Sequence, residues 1–213
     1  MTENPERHKK DPHYKKAKQA GYRARSAFKL LDIQKRFNIF KRAYYILDIG
    51  STPGSWLQVA HKFAEKNLVK YKDNNYHRDH FKIMGVDVKK VSPLEGIYTV
   101  RMDITNPEFQ KELDDFFIGK KIDLILSDAS INKTGNKFVD QLSQINLCFK
   151  VLDIVKPYLK YKGAFVLKIF QGQDFEKFLK AMKNEFFKTL SYKPKASRKH
   201  SNEIYLIGLK KNN

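Results

Sequence analysis

The amino-acid sequence predicts an α/β fold, with a mostly parallel β-sheet and helices on both of its faces. Short apolar runs alternate along the chain with segments of helical periodicity, which is the pattern of consecutive βαβ units. The last two apolar runs are joined by residues 194–202, which show no helical pattern, so these two strands should pair antiparallel. A chain of 213 residues suits one domain of this type.

The individual elements follow from the same patterns. Seven apolar runs are predicted to be strands: 44–50, 81–87, 98–103, 122–128, 163–170, 187–193 and 203–209. A first helix is predicted over about 23–37, where apolar side chains cover more than one flank. Further helices are predicted from apolar stripes with a period of 3.6, at Leu57–Ala60–His61–Ala64, Leu142–Ile145–Phe149–Leu152 and Phe175–Phe178–Leu179–Met182–Phe186.

Two segments are predicted to lie outside this regular framework. Residues 1–20 are polar and basic without periodicity, so we expect a flexible basic arm there and a single domain over 21–213. The polar segment 66–80 is expected to be a surface loop or insertion.

Composition limits the class of protein. The formal net charge of +19 favours a polyanionic partner, RNA or DNA before a membrane, although a lysine-rich genome would contribute to the same excess. No apolar run approaches the ~18 residues of a membrane span, and the first residues lack the apolar region of a secretion signal. The single cysteine, Cys148, excludes an internal disulfide and a multi-cysteine metal site, and we expect no metal.

The turn that follows the first strand has the composition of a ligand site. Strand 44–50 runs through Asp48, Gly50, Pro53 and Gly54 into the helix that contains Trp56. Glycines at such a turn let the backbone approach a ligand at the carboxyl edge of the sheet. The dinucleotide pattern G-x-G-x-x-G is absent, so a nicotinamide enzyme is not expected.

Three further strands end in a carboxylate, at Asp87, Asp103 and Asp128. Acids around a glycine turn repel phosphate and suit a ligand with hydroxyls, an amine and a positive centre, which are the groups of S-adenosylmethionine. Each acid taken alone could instead be a helix N-cap.

Four ionisable residues lie where a soluble fold usually avoids a charge: Lys29, Asp128, Lys168 and Glu203. Lys168 interrupts a run that otherwise predicts a strand buried on both faces. Because a buried lysine is unfavourable unless it is paired, these residues are candidates for a catalytic site rather than for the core. Asp128 and Lys168 are expected at the carboxyl edge of the sheet, and an antiparallel last strand would begin there with Glu203.

Five segments, in order, resemble the FtsJ/RrmJ family of S-adenosylmethionine-dependent RNA ribose 2′-O-methyltransferases, over about residues 20–210. They are Arg23-Ala-Arg-Ser-Ala-Phe-Lys29-Leu, Leu47-Asp-Ile-Gly-Ser-Thr-Pro-Gly-Ser-Trp56, Ser127-Asp128, Lys168-Ile-Phe-Gln-Gly172 and Lys193-Pro-x-x-Ser-Arg198-x-x-Ser-x-Glu203-x-Tyr205. Two positions depart from the family pattern. Ser55 replaces the second glycine of Gly-Gly-Trp, and Ala129-Ser-Ile-Asn132 replaces a Pro-Asn or Pro-Asp pair.

The resemblance implies a Rossmann-like methyltransferase fold and assigns roles to particular residues. It implies a Lys-Asp-Lys-Glu catalytic tetrad at Lys29, Asp128, Lys168 and Glu203, in which Lys168 is either the general base or an orienting cation. The cofactor site then comprises Asp48, Gly50, Pro53, Gly54, Trp56, Asp87, Asp103 and Asp128. Basic residues expected to hold RNA phosphates are Lys15, Lys16, Lys18, Arg23, Arg25, Lys193, Lys195, Arg198 and Lys199.

The function implied by the resemblance is transfer of a methyl group from S-adenosylmethionine to a ribose 2′-hydroxyl of RNA, and we expect the target to be a uridine in large-subunit ribosomal RNA. The compact chain resembles that branch of the family. Asp103-Ile-Thr-Asn-Pro107 resembles the transfer-RNA anticodon-loop enzymes instead, and a non-catalytic RNA-binding ribosome assembly factor is a third reading. We expect a monomer inside the cell, in the cytoplasm or nucleolus, or in an organelle matrix if a targeting segment precedes this sequence.

Overall fold

The fold is a seven-stranded mixed sheet with helices on both faces, as the sequence predicts. The structure is a computed structural model, and it describes residues 12–71, 79–132, 134–172, 174–198 and 200–213. The strand order is β3-β2-β1-β4-β5-β7-β6. The strands are β1 (Tyr45–Ile49), β2 (Lys82–Asp87), β3 (Tyr98–Arg101), β4 (Ile122–Ser127), β5 (Leu159–Phe170), β6 (Phe186–Tyr192) and β7 (Glu203–Lys211).

Six helices accompany these strands in the described part of the chain. They are α1 (Pro12–Gln19), α2 (Ala27–Phe37), α3 (Ser55–Lys70), α4 (Glu108–Phe117), α5 (Lys137–Tyr158) and α6 (Phe175–Glu185). Helices α4, α5 and α6 cover one face of the sheet, where Phe109, Cys148 and Phe178 are buried. Helices α2 and α3 cover the other face, where Leu30 and Leu57 are buried.

Strand β7 is inserted between β5 and β6 and runs antiparallel to both. The predicted antiparallel pairing of the last two strands is therefore confirmed. Strands β1 to β5 pair in parallel, so their carboxyl ends meet at one edge of the sheet. Because β7 runs in the opposite sense, its first residue, Glu203, lies opposite Phe170 at that same edge.

Several boundaries differ from the prediction by a few residues, and two elements, β5 and α3, extend well beyond it. Strand β5 begins at Leu159 rather than at 163, because the polar residues that precede Gly163 already lie in the strand. Helix α3 continues to Lys70, so residues 66–70 of the expected loop are helical. Asn67 explains this extension, since its buried amide donates to the Phe40 and Ala43 carbonyl oxygens at 2.7 and 3.0 Å. Residues 72–78 of that expected loop lie outside the described residues.

Residues 12–19, which belong to the predicted flexible basic arm, form α1. The helix is held by its neighbours rather than by its own propensity: Ala17 is buried, and the Lys16 ammonium lies 5.6 Å from the centre of the Phe28 ring on α2. The Ala17 carbonyl also accepts from the Tyr22 amide at 2.9 Å. Residues 1–11 of the predicted arm lie outside the described residues.

Within the described ranges, no helix combines the length and the apolar character that crossing a bilayer requires.

Candidate active site

The candidate site is a cavity of about 370 Å³ at the carboxyl edge of the parallel strands. It opens where the chain order reverses, between β1 and β4, which is where open α/β sheets bind ligands. Its volume falls in the range of about 300–1,000 Å³ that is usual for small-molecule sites. Four of the predicted cofactor residues line it: Gly50, Asp87, Asp103 and Asp128.

Gly50 forms the turn that follows β1, and no other residue would fit there. Its φ angle is +77°, and a Cβ atom would lie 2.5 Å from the Ala129 Cα atom. The turn is anchored to β2, because the Gly50 amide donates to the Val86 carbonyl oxygen at 2.8 Å. Asp87 extends this anchor: its carboxylate accepts from the Thr52 and Lys89 amides, each at 2.9 Å. The turns after β1 and β2 are thus held together on one side of the cavity.

Asp103 supplies a carboxylate that stays charged at the far wall of the cavity. Its Oδ1 atom accepts from the Thr105 amide and from the Thr105 hydroxyl, both at 2.8 Å. These hydrogen bonds to the ionised form lower the pKa of Asp103 below its ordinary value.

Asp48 is the unusual carboxyl group of this region. It is completely buried in β1, two residues before Gly50, and neither of its oxygens has a hydrogen-bond partner among the described residues. Burial, followed by the nearby charges of Asp128 and Asp87, raises the pKa of Asp48 well above its ordinary value. An unpaired acid of this kind fits a cationic ligand such as the ammonium group of S-adenosylmethionine, so the residues present are suited to that cofactor.

The raised pKa of Asp48 predicts how the stability of the protein without ligand depends on pH. The folded state keeps the proton at pH values where the unfolded chain, with an ordinary pKa of 3.8, has lost it. The unfolded state then binds fewer protons, so the free energy of unfolding falls as the pH rises from 3.8 towards the raised pKa. We expect Asp48→Asn to remove this decline and to raise the thermal midpoint most at high pH. Thermal unfolding of both proteins at pH values from about 4.5 to about 8 gives the midpoints to compare.

Asp115→Asn, an exposed position on α4, is the control for loss of one negative charge. It should leave the pH profile of the wild-type protein unchanged. A thermal midpoint of Asp48→Asn that is lower than that of the wild type at about pH 8 would contradict a buried, protonated Asp48.

The Lys168 ammonium group is paired with Asp128 at the wall of the cavity. Its Nζ atom donates to the Asp128 backbone oxygen at 2.6 Å and lies 3.3 Å from the Asp128 Oδ1 atom. The Lys168 side chain is 9% exposed and that of Asp128 is 19% exposed. Lys168, a lysine inside a strand, is therefore paired as expected for a buried charge, and its partner Asp128 lines the ligand cavity.

Lys29 and Glu203 form a second ion pair, with 2.5 Å between Lys29 Nζ and Glu203 Oε1. The same carboxylate oxygen accepts from the Ser197 hydroxyl at 2.9 Å. Both charged side chains are about as buried as Lys168, at 12% and 13% exposed. The second amine of the predicted tetrad thus arrives from α2 and the second acid from the start of β7.

Tyr205 joins the two ion pairs. Its hydroxyl donates to Asp128 Oδ1 at 2.7 Å, and the Lys29 ammonium lies 5.7 Å from the centre of its ring. Tyr205 is opposite Lys168 in the β5–β7 register, and Glu203 is two residues before it, so all three side chains project from one face of the sheet. The four predicted tetrad residues therefore lie together in one cluster. Burial and the Asp128 charge raise the pKa of Tyr205 well above its ordinary value, so its hydroxyl stays protonated as the donor to Asp128.

Four residues predicted to contact the cofactor do not line the cavity: Asp48, Pro53, Gly54 and Trp56. Trp56 is 3% exposed, and its indole packs 5.8 Å from the Tyr205 ring while Nε1 donates to the Ser26 carbonyl oxygen at 2.9 Å. Trp56 thus holds the beginning of α2, which carries Lys29, and its contact with the cofactor stays a prediction. Gly54 caps α3 next to Arg23 rather than lining the cavity, and the Pro53 carbonyl accepts from Arg23 Nη1 at 3.2 Å.

Two arginines predicted to hold RNA make hydrogen bonds within the protein, and their contact with RNA stays a prediction. The Arg23 guanidinium donates to the carbonyl oxygens of Pro53, Ser92 and Pro93, which ties the turn after β1 to the loop after β2. Arg25 donates to the Ala196 carbonyl oxygen at 2.5 Å. The sequence shows that these side chains are cationic, but it does not show which groups they bind.

The remaining predicted RNA contacts that the structure describes are exposed lysines and an exposed arginine. Lys15, Lys16 and Lys18 lie on α1, beside the α2 helix that carries Lys29. Lys193, Lys195 and Arg198 lie in the loop between β6 and β7, and the Lys193 ammonium donates to the Ser201 carbonyl oxygen at 2.8 Å. Lys199 lies outside the described residues.

Gln144 on α5 is a site residue that the sequence did not reveal. It is buried, its Oε1 atom accepts from the Ile131 amide at 3.1 Å, and its Nε2 atom donates to the Ala129 carbonyl oxygen at 3.3 Å. These bonds hold the loop after β4 that lines the cavity. A glutamine within a helical pattern does not indicate a site residue. Tyr205 and Ser197, in contrast, lie within a segment that resembles the family and could have been assigned from the sequence.

Among the described residues, no three histidine, cysteine or acidic side chains are grouped to hold a metal ion.

The fold and this cluster define a Rossmann-like α/β domain with an acid-lined ligand site and a paired Lys-Asp-Lys-Glu cluster beside it. The chain belongs to the FtsJ-like methyltransferase family, whose family model matches residues 22–211.

Individual relatives agree with this assignment. The chain is 40% identical to a protein named ribosomal RNA large subunit methyltransferase E from Methanothrix thermoacetophila, over 96% of this chain and 74% of that protein. It is also 40% identical to the protein of the same name from Ehrlichia chaffeensis, over 93% of this chain and 88% of that protein. A crystal structure described as a ribosomal RNA methyltransferase from Plasmodium falciparum has a TM-score of 0.75 at 27% identity, and the match covers 89% of this chain and 98% of that one.

Proposed function

We propose that this protein transfers a methyl group from S-adenosylmethionine to a ribose 2′-hydroxyl of large-subunit ribosomal RNA, at a uridine. The observation that carries the proposal is the Lys168–Asp128 ion pair at the wall of the ligand cavity. Membership of a methyltransferase family supports the reaction class, and the names of the relatives support ribosomal RNA as the substrate.

The cofactor would be held by the acids at the edge of the sheet. Asp87 and Asp103 face the cavity and suit the hydroxyl and amine groups of an adenosine, while buried Asp48 suits an ammonium group. Gly50 allows the backbone to pass close to the ligand. When bound, S-adenosylmethionine supplies a methyl group on a positively charged sulfur.

Lys168 acts on the ribose hydroxyl as an orienting cation in this proposal. An ammonium group has three donors, and two of the acceptors of Lys168 are the backbone and carboxylate oxygens of Asp128. The remaining N–H would be available to the 2′-oxygen, which would bear negative charge as it accepts the methyl group and the bond from that group to the sulfur breaks. Stabilisation of that charge by a fixed donor is typically worth about 10²–10³-fold in rate. The hydroxyl proton is lost in the same step, and Asp128 is the neighbouring carboxylate that can accept it.

The Lys29–Glu203 pair has a positioning role in this proposal. Tyr205 connects it to Asp128, so the pair fixes the surroundings of Lys168 without lining the cavity. All four residues belong to one chain, which is consistent with a monomer that acts within the cell on RNA.

The test of the substrate is incubation of the protein with tritiated S-adenosylmethionine and either ribosomal subunits or transfer RNA. We expect label in large-subunit ribosomal RNA. After alkaline hydrolysis it should remain in dinucleotides, because a methylated 2′-oxygen cannot attack the adjacent phosphate. Digestion to nucleosides should then yield labelled 2′-O-methyluridine.

Other results would contradict specific parts of the proposal. Label in transfer RNA alone would favour an anticodon-loop enzyme. Label that alkali releases in mononucleotides would identify a base as the acceptor. RNA binding that weakens with salt, without methyl transfer to any RNA, would favour an assembly factor.

A further inference from the structure

Three large apolar side chains are exposed at the beginning of α5. Phe138 is 62% exposed, Leu142 is 44% exposed and Val139 is 43% exposed. We call these three residues the apolar shelf. Phe138 and Leu142 are four residues apart on one helix and therefore lie side by side on its surface.

The apolar shelf is held in place by hydrogen bonds of the preceding turn. The Asn136 side chain accepts from the Phe138 and Val139 amides at 3.1 and 3.3 Å, which caps α5. Asp140 Oδ1 accepts from the Thr134 amide and hydroxyl at 2.7 and 2.8 Å. The exposed side chains are thus presented by a fixed backbone, so their exposure does not result from a loose terminus.

The apolar shelf adjoins the loop that follows β5, the strand that carries Lys168. A Cβ atom at Gly172 would overlap the Gln141 side chain, so α5 packs directly on residues 171–172. The Gln171 amide donates to the Asn202 carbonyl oxygen at 3.0 Å, one residue before Glu203. Gly172 follows Lys168 by four residues, which corresponds to roughly 13 Å along an extended chain. A nucleotide next to one bound at Lys168 would lie within reach of the apolar shelf.

The lining of this region indicates which part of an RNA strand it would contact. Phe138 and Leu142 form a shallow depression together with Gln141 and Asp174. The Asp174 carboxylate repels phosphate, and no cationic side chain belongs to this lining among the described residues. A nucleobase, in contrast, offers an aromatic face to Phe138 and N–H donors to an acid. Three side chains are also too few to bury the roughly 800 Å² per partner of a stable dimer.

We propose that the apolar shelf stacks an unpaired nucleobase that neighbours the methylated nucleotide. This inference rests on RNA as the substrate in the proposed function. The net charge of +19 brings a polyanion to the protein surface, and the phosphates of that strand contact basic residues elsewhere. The ring of Phe138 supplies the stacking surface, and Leu142 supports it from the next turn.

The experiment measures the Kd for protein-free large-subunit ribosomal RNA, with S-adenosylhomocysteine present, for four Phe138 and Phe187 variants. Phe138→Ala is expected to weaken binding about tenfold, because loss of one base–aromatic stack has an effect of this size. Phe138→Tyr, which keeps the ring, should bind within about threefold of the wild type. Phe138→Leu, which is apolar but has no ring, should resemble Phe138→Ala. The position is an exposed helical one, where alanine favours the helix, so the variants should fold.

Phe187→Ala is the matched control, because Phe187 is 66% exposed and lies at the start of β6, at the opposite edge of the sheet. Its Kd should equal that of the wild type. Wild-type affinity in Phe138→Ala or in Phe138→Leu would overturn the proposal. The proposal would also be overturned if Phe138→Ala impaired only the methylation of assembled subunits, because the apolar shelf would then contact a ribosomal protein and not a nucleobase. If the wild type methylates no RNA while Phe138→Ala still binds RNA about tenfold more weakly, the proposed function fails. The contact between a nucleobase and Phe138 then stands, but its place beside a methylated nucleotide does not.

Discussion

Replacing Lys168 with methionine is expected to lower kcat for methyl transfer by about 10²–10⁴-fold. Methionine keeps most of the volume of the side chain but removes the N–H that would reach the 2′-oxygen. The affinity for S-adenosylhomocysteine should change little, because Lys168 is not among the residues that line the ligand cavity. Single-turnover kinetics gives the rate of the chemical step, and isothermal titration calorimetry gives the affinity for the ligand.

Two other lysine variants separate this effect from a general loss of charge. Lys29→Met removes the amine of the second ion pair and should reduce kcat less than Lys168→Met does, since Lys29 pairs with Glu203 away from the cavity. Lys188→Met, at an exposed position of β6, should leave kcat unchanged. If Lys168→Met transfers methyl groups at the wild-type rate, the Lys168–Asp128 pair is purely structural and the mechanism is wrong.

Asp128→Asn is expected to impair both the chemical step and ligand binding. The carboxylate is an ion-pair partner of Lys168, accepts from the Tyr205 hydroxyl and lines the ligand cavity. We expect kcat to fall by about 10²-fold and the KM for S-adenosylmethionine to rise by about tenfold, because an amide lacks the charge needed at both places. Steady-state kinetics with each substrate varied in turn distinguishes the two effects.

The same substitution should alter Asp48. The negative charge of Asp128 is one cause of the raised pKa of Asp48, so Asp128→Asn should lower that pKa and weaken the pH dependence of unfolding. Asp153→Asn serves as the matched loss of a surface carboxylate, since Asp153 pairs with Lys156 and is 67% exposed. It should change neither kcat nor KM. Tyr205→Phe keeps the Asp128 charge and should cause a smaller loss of kcat. A change in thermal stability alone in Asp128→Asn would contradict the dual role of Asp128.

The framework of the fold could be predicted because its pattern is local. Buried strands such as Ile122–Ser127 form uninterrupted apolar runs, and helices such as α6 keep an apolar stripe. The helical segments that the sequence does not predict, α1 and the last turns of α3, are held by contacts with other parts of the fold. Helix α1 depends on Phe28, and the last turns of α3 depend on the buried amide of Asn67. Neither contact leaves a periodic trace in its own segment.

The residues of the candidate site also include some that a local pattern predicts and others that only the folded chain reveals. Lys168 was recognisable because a charge within an apolar run is rare unless it is paired, and the cluster around it supports that interpretation. The role of Gln144 could not be predicted, because its hydrogen bonds join α5 to a loop that only the folded chain brings near. Arg23 shows the limit of charge as a signal: the sequence reveals the cation, but only the folded chain shows the three backbone oxygens to which it donates.

The position of β7 has a consequence for the order in which activity can arise during synthesis. Glu203 and Tyr205 are supplied by the last strand, which must insert between β5 and β6 before the cluster is complete. A nascent polypeptide that has emerged from the ribosome only as far as residue 200 already contains Lys29, Asp128 and Lys168, but it lacks the residues that connect them. Prematurely terminated translation products are therefore expected to be inactive, and a growing chain cannot modify RNA before its final strand has docked.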